Sequence, residues 1–162
     1  MANLYTLLQA GFPQDATRAF ATLRDGTVIS YAGLEQASAR YANMLVSLGV
    51  ECGDRVAVQA PKSMDMPMLY LGCLRAGAVF LPLNPAYTAG ELDYFMRDAR
   101  PALFVCDPTQ VEAIRALAQS AGLARVETLG ENGAGSLPAL AAECNADFVT
   151  VELPDDDLVV RF

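Results

Sequence analysis

The stretch RVAVQAPKSMDMPMLYLGCLRAGAVFLPL, residues 55–83, decides the fold. Its opening segment, Arg55–Gln59, has a Val-Ala-Val centre that is typical of a strand covered on both faces. From Met68 to Ala76 the chain is apolar on nearly every side of a helix, and Ala78–Leu83 is again strand-like. Two strands joined by a buried helix form a right-handed parallel unit. We expect Ser63 or Asp65 to cap that helix.

The alternation of strands and helices continues toward the carboxyl end. Apolar spacing predicts further strands and helices over Leu92–Arg100, Ala102–Cys106, Val111–Ala121 and Arg125–Leu129. A polar turn over Glu131–Ser136, a helix over Leu137–Cys144 and a last strand over Phe148–Leu153 are predicted to follow. Residues 53–153 therefore form, by prediction, one mainly parallel βαβαβαβ sheet layered by helices.

The segments outside this unit have patterns of their own. We predict a short helix over Leu4–Ala10, then strands over Arg18–Leu23 and Thr27–Ser30 joined by an Asp25-Gly26 hairpin turn. A longer amphipathic helix begins near Ser30, and residues 1–52 are expected to form a hairpin plus helix. Gly49 is placed to cap the C-terminus of that longer helix. Residues 154–162 are expected to be a truncated tail, because the chain finishes on an apolar run without a turn or cap.

Composition excludes several classes of function. Hydrophobic residues make up 53% of the 162 residues, and the net charge of -8 opposes binding to nucleic acids or anionic membranes. The chain contains no histidine, which removes imidazole-based catalysis. Arg75 interrupts the one stretch that approaches membrane-span length, and the N-terminus lacks a secretory signal. The four cysteines form no C-x-x-C pair, and we interpret them as buried thiols of a reducing, cytoplasmic compartment.

Two basic side chains are candidates for ligand contacts. Lys62 is the only lysine and follows the first parallel strand at its carboxyl end, the side on which α/β sheets bind ligands. It suits a phosphate or carboxylate, although a solvated lysine before a helix is the commoner arrangement. Arg75 suits a ligand anion, but a snorkelling or salt-bridged arginine is more usual in such a helix.

Other polar clusters favour structural interpretations. Gly133-x-Gly135-Ser136 resembles a phosphate cradle, but Pro138 stands where a dinucleotide fingerprint needs its third glycine, so a plain loop is favoured. Asp155–Asp157 favour a solvated linker over a magnesium site, since consecutive carboxylates on an extended chain point in different directions. An i,i+4 pair between Asp93 and Arg97 is typical of a surface helix. We assign no catalytic, cofactor-binding or metal-binding residue in this chain.

Several segments resemble one enzyme family. They are Ser30–Leu34, Asp54–Val58, Tyr70–Asn84, Tyr87-Thr88 and Glu91–Phe95. Together they are similar to the N-terminal region of the adenylate-forming acyl-CoA synthetases. Val126–Gly130 and Gly135–Leu137 resemble the malonyl-CoA synthetases within that family. The resemblance implies an α/β fold that forms part of the N-terminal domain of such an enzyme.

The resemblance also implies a chemistry. In the family a carboxylic acid attacks ATP, and coenzyme A captures the acyl-adenylate, with Mg²⁺ stabilising the phosphate charge. The family's phosphate loop, ribose-binding aspartate and lid lysine have no counterpart here. We therefore expect an N-terminal fragment that is inactive alone and holds no cofactor, from a parent that uses a dicarboxylic acid, ATP, Mg²⁺ and coenzyme A. Its exposed sheet surface predicts self-association. A stand-alone binding module, or a fragment of a fatty-acid or aryl-acid ligase, remain alternatives.

Overall fold

The computed structural model describes residues 3–123 and 125–153 of the chain. The helices are α1 (Leu4–Ala10), α2 (Tyr31–Ser47), α3 (Asp65–Ala76), α4 (Ala89–Ala99), α5 (Val111–Ala121) and α6 (Ser136–Ala142). The strands are β1 (Ala19–Thr22), β2 (Val28–Ser30), β3 (Arg55–Gln59), β4 (Val79–Pro82), β5 (Leu103–Cys106) and β6 (Val126–Thr128). The predicted α/β class is confirmed, with a parallel β3-α3-β4-α4-β5-α5-β6 sequence of elements.

Two sheets are present in the described residues. β1 and β2 pair antiparallel around the turn at Gly26, where φ is +86°. The larger sheet has the order β4-β3-β5-β6, and every neighbouring pair is parallel. Helices cover both faces: α2, α3 and α6 pack with Val56, Val58 and Leu103 in one core, and α4 and α5 pack with Ala57 and Phe104 in the other.

Helix boundaries follow local capping. The Ser30 hydroxyl accepts the amide of Gly33 at 3.1 Å and begins α2, as predicted. Gly49, with φ +82°, follows the end of that helix in the left-handed region. Thr88 and Glu91 form a capping box, so α4 begins earlier than the predicted Leu92.

Two expectations about the chain are wrong. Neither Ser63 nor Asp65 caps α3, because Asp65 Oδ1 instead accepts the hydroxyl of Tyr41 at 2.9 Å. Phe148–Leu153 forms no strand, since its carbonyl groups accept from the side chains of Asn3, which caps α1, and Arg75 of α3 rather than from a neighbouring strand. The predicted tail, residues 154–162, lies outside the described residues. The division at residues 52 and 53 stays a prediction.

The cysteines are not all buried. Cys73 and Cys106 are fully buried, Cys144 is half-buried and Cys52 is exposed, so the expectation of four buried thiols is wrong for Cys52. Cys52 lies in the turn between α2 and β3, outside both cores. Among the described residues, no helix combines the length and the apolarity needed to cross a bilayer.

Replacing Gly72 by alanine should destabilise the fold. A β-carbon there would lie 2.7 Å from Tyr41 Cβ and 3.1 Å from the Ala42 backbone nitrogen, so α2 and α3 must move apart. We expect Gly72→Ala to lower the free energy of unfolding by about 2 kcal/mol in urea denaturation. Gly90→Ala is the matched control, because nothing lies within 4 Å of its β-carbon position in α4. A Gly72→Ala protein as stable as the Gly90→Ala protein would contradict the close approach.

The exposed and the buried cysteines should differ in the rate at which a thiol reagent modifies them. Burial raises the pKa of the Cys106 thiol to about 11 and also raises the pKa of Cys73, which lowers the fraction of reactive thiolate. We expect a disulfide reagent at pH 8 to modify Cys52 first, and Cys73 and Cys106 only after denaturation. Mass spectrometry of the labelled peptides shows the order in which the cysteines are modified. The Cys52→Ser substitution should abolish the fast phase of labelling. Fast labelling of Cys106 in the native protein would be inconsistent with this core.

Candidate functional site

The topology of the parallel sheet marks one crevice. The connection after β3 passes over one face through α3, and the connection after β5 passes over the other through α5. Ligands of open α/β sheets bind outside the carboxyl ends of two such neighbouring strands. The candidate site is therefore the carboxyl edge of β3 and β5, where Gln59 and Cys106 stand side by side.

Gln59 brings an unused polar atom to this edge. The residue is 3% exposed, and its Nε2 donates to the carbonyl oxygen of Asn84 at 2.9 Å. Its Oε1 is buried without a hydrogen-bond partner among the described residues. The hydroxyl of Ser63, in the loop that follows β3, is in the same situation. Buried polar atoms without partners are rare in native proteins, so both atoms mark this edge as a place where polar contacts are missing.

A cleft of about 690 Å³ opens beside that loop. Its charged lining comes from Arg24 and Asp25 of the hairpin turn, Lys62 and Asp65 at the start of α3, and Glu131 after β6. Lys62 thus lies at the carboxyl edge, as predicted, and is exposed. Three carboxylates against two cations leave the lining with a net negative charge, which opposes the predicted role of Lys62 as an anion contact.

Asp65 has a structural partner in this cleft. Its carboxylate accepts the hydroxyl of Tyr41, which crosses from α2. Burial and the negative charge of Asp65 raise the pKa of Tyr41 above its ordinary value, so this phenol remains a hydrogen-bond donor at neutral pH. The pair joins α2 to the first turn of α3.

The glycine-rich turn near the cleft holds the end of β6. Ser136 Oγ accepts the amide of Thr128 at 3.0 Å, and its own hydroxyl donates to Glu127 Oε2 at 2.5 Å. A β-carbon on Gly135 would lie 2.4 Å from the Thr128 carbonyl oxygen, so only glycine fits there. The favoured interpretation of residues 133–136 as a loop rather than a phosphate cradle agrees with these contacts.

Arg75 is buried and binds no carboxylate of the described residues. It is 8% exposed, and its guanidinium donates to Glu35 O at 2.9 Å, Ser38 Oγ at 3.0 Å and Phe148 O at 2.8 Å. It also lies 4.6 Å from the ring centroid of Tyr5, whose hydroxyl is 3.2 Å away. The expectation of a snorkelling or salt-bridged arginine is therefore wrong. Arg75 instead joins three helices to the carboxyl-terminal segment.

The remaining candidates have structural positions. Asp93 and Arg97 form the predicted surface ion pair at 2.9 Å, on the flank of α4 that faces α5. Asp155–Asp157 lie outside the described residues. Within the described ranges, no three His, Cys, Asp or Glu side chains come together in a group suited to a metal ion.

Comparison with known proteins gives consistent matches. Residues 9–160 match a family model described as AMP-binding enzyme. The chain is 31% identical to "Probable CoA ligase CCL9" of Humulus lupulus, over 96% of this chain and 31% of that protein. Apo MatB from Rhodopseudomonas palustris superposes with a TM-score of 0.91 and 44% identity, over 98% of this chain and 31% of MatB.

A further solved structure indicates which part of these proteins is matched. The N-terminal domain of FACL13 from Mycobacterium tuberculosis superposes with a TM-score of 0.81 and 26% identity, over 99% of this chain and 41% of that domain. The chain thus spans about a third of the length of the first relatives it matches.

Removing the Arg75 guanidinium should destabilise the fold strongly. Arg75→Met keeps the apolar stem but leaves the oxygens of Glu35, Ser38 and Phe148 without this donor. We expect a loss of about 3 kcal/mol in the free energy of unfolding, measured by urea denaturation. Arg115→Met is the matched control, because its ion pair with Glu112 is exposed, and it should change stability by less than about 0.5 kcal/mol. Equal effects of the two substitutions would contradict the structural role of Arg75.

Proposed function

Because the chain belongs to the family of AMP-binding enzymes, we propose that it supplies part of the N-terminal domain of an acid–CoA ligase. The observation that carries this proposal is the match to MatB, with 44% identity across 98% of this chain. The family and the N-terminal fold are direct findings. The ligase activity is the proposed step, since the chain covers 31% of MatB.

We propose malonate as the acid. MatB is a malonyl-CoA synthetase, and its identity to this chain exceeds that of the other ligases compared. Those include feruloyl-CoA synthase of Amycolatopsis, 38% identical over 62% of this chain, and the Escherichia coli medium-chain fatty-acid–CoA ligase, 34% identical over 49%. Because these names cover several acids, the family alone leaves the acid open, and malonate depends on the likeness to MatB.

The described residues do not fit a complete site for the reaction. ATP, Mg²⁺ and coenzyme A are the reactants proposed for the whole enzyme. The cleft at the carboxyl edge, however, has three carboxylates against two cations, and Asp65 is already bonded to Tyr41. A triphosphate needs positive charge and backbone donors, and a bound Mg²⁺ needs oxygens free to coordinate it. We therefore propose that these 162 residues do not form an acyl-adenylate alone. A cytoplasmic location stays a prediction.

An exchange of segments tests the ligase proposal. In a chimera, these 162 residues replace the matched 31% of MatB. Because the two share 44% identity and one fold, we expect the chimera to form malonyl-CoA within about tenfold of the kcat/KM of MatB, a cost of at most about 1.4 kcal/mol. Unaltered MatB is the control. A chimera that folds, by circular dichroism and thermal unfolding, but forms no thioester would overturn the proposal.

The isolated 162-residue chain tests whether these residues act without the rest of a ligase. Incubated with malonate, Mg-ATP and coenzyme A, it should release no pyrophosphate, and calorimetric titration with millimolar Mg-ATP should show no saturable binding. Turnover would overturn the inactive-fragment proposal, and binding without turnover would favour a stand-alone binding module. The acid is tested separately, by comparing kcat/KM for malonate, benzoate and octanoate in any longer polypeptide that carries these residues. A preference for either of the other acids would overturn malonate.

A further inference from the structure

A cavity of about 520 Å³ lies at the amino edge of the parallel sheet, opposite the candidate site. Its walls are formed by the ends of α4 and α5 and by the residues just before β5 and β6. Within the described residues, Arg97 and Arg100 are its only charged lining, and Pro101, Ala121 and Leu123 give it apolar walls. The volume is in the range of sites that bind small molecules.

Arginines are concentrated at this end of the molecule, although the chain as a whole has a net charge of -8. Five of its eleven lysines and arginines lie there, namely Arg55, Arg97, Arg100, Arg115 and Arg125. Arg115 and Arg125 line a second cavity of about 600 Å³, which shares Gly122 and Leu123 with the first. The cleft at the carboxyl edge, in contrast, has three carboxylates against two cations. An anion is therefore attracted to the amino edge rather than to the carboxyl edge.

Two of these guanidiniums are held in place by the fold. Arg97 donates to Asp93 Oδ2 at 2.9 Å and to the carbonyl and hydroxyl oxygens of Ser120 at 3.3 and 3.0 Å. Arg55, the first residue of β3, donates to the carbonyl of Ala99 at 3.2 Å, and its Nε is buried without a partner in the described part of the chain. Since these two arginines already bond to carbonyls in the last turns of α4 and α5, the helix ends do not require a further basic residue.

Arg100 adopts a backbone conformation that is unfavourable for arginine. Its φ of 44° and ψ of 58° lie in the left-handed region, where a β-carbon crowds the next carbonyl oxygen. Pro101 follows, and a residue before proline prefers an extended backbone. The Arg100 side chain is exposed and takes part in neither of the two ion pairs found among the described residues. Backbone strain of this kind is concentrated at functional sites, and here it places an unpaired guanidinium at the cavity.

We propose that this cavity binds a phosphate group, with Arg100 as the principal donor and Arg97 as the second. A guanidinium presents two parallel N–H groups to two oxygens of a phosphate. The guanidiniums of Arg55, Arg97 and Arg100 bond to one carboxylate, that of Asp93, which leaves a charge of about +2 for a phosphate that carries nearly two negative charges at pH 7. The site is separate from the candidate site and does not depend on the ligase proposal.

The lining also indicates what the phosphate is attached to. No aromatic ring lines the cavity within the described residues, so a nucleoside base has no surface on which to stack. The apolar walls suit a small aliphatic group, and inorganic phosphate and a small alkyl phosphate share the chemistry that the arginines recognise. In Mg-ATP the metal coordinates phosphate oxygens, so the expected absence of saturable Mg-ATP binding is unchanged.

Titration of the 162-residue protein with inorganic phosphate, by calorimetry and by amide NMR shifts, tests the site. Against sodium chloride of equal ionic strength, we expect millimolar binding with the largest shifts at Arg100, Gly122 and Leu123. Arg100→Gly removes the guanidinium and suits the left-handed backbone, so this variant should fold and bind phosphate about tenfold more weakly. Asn132→Gly is the matched control and should bind as the unaltered protein does, because Asn132 also has a positive φ, of 53°, but lines the cleft at the opposite edge.

A comparison of inorganic phosphate with butyl phosphate distinguishes the two sources of the phosphate group. Tighter binding of butyl phosphate would assign the cavity to a phosphorylated small molecule, because the apolar walls would then contribute to the affinity. Equal binding would assign the cavity to free phosphate. Both results support a phosphate site.

Four results would overturn the proposal. The first is the absence of phosphate binding beyond the chloride reference, and the second is equal phosphate affinity of the Arg100→Gly and Asn132→Gly proteins. The third is a set of NMR shifts confined to the cleft around Lys62. The fourth is a glutamate-rich peptide that binds at the amino edge more tightly than either phosphate, since an acidic protein would then be the partner.

Discussion

The close approach of α2 and α3 at Gly72 is the constraint on which the rest of the structure depends. Because glycine presents no β-carbon, the backbone of Tyr41 and Ala42 lies directly against α3. The two helices run in opposite directions, so one turn farther along α3 the side chain of Arg75 meets Ser38 and the Glu35 carbonyl. A wider separation would break these contacts together. The backbone contact at one position therefore sets the geometry of the polar network at the next.

That network attaches the two ends of the described chain. α1 has seven residues, fewer than an isolated helix needs for stability in water, so it depends on its anchors. Asn3 donates to the carbonyls of Leu74 and Val151, and the Tyr5 ring lies against Arg75. The fork of a guanidinium reaches oxygens on several elements at once, which a lysine ammonium does not match. Hydrogen bonds to neutral oxygens thus stabilise a buried charge that has no carboxylate partner in the part of the chain that the structure describes.

Local patterns in the sequence account for most of the fold. The Val-Ala-Val run and the apolar helix after it predict β3 and α3, and the spacing of Val111–Ala121 predicts α5 with its bounds. The start of α4 was missed because its capping box precedes the apolar repeat. Local sequence patterns do not predict the hydrogen bonds of Arg75, because its partner Phe148 lies 73 residues away along the chain. The position of Lys62 followed from strand order, but two of the three acids around it, Asp25 and Glu131, come from turns distant in sequence.

Two buried polar atoms without partners among the described residues lie together at the carboxyl edge of the sheet. Gln59 Oε1 and Ser63 Oγ both lie where β3 ends, at the edge where α/β sheets bind ligands. In contrast, the Arg75 side chain makes its hydrogen bonds within the core of α1, α2 and α3. On the helical face, the two terminal nitrogens of Arg75 make four hydrogen bonds and only its Nε lacks a partner among the described residues, whereas the carboxyl edge presents acceptors and a cleft of mixed charge. A phosphate bound at this edge would need more positive charge than the two cations and three carboxylates of the cleft lining supply.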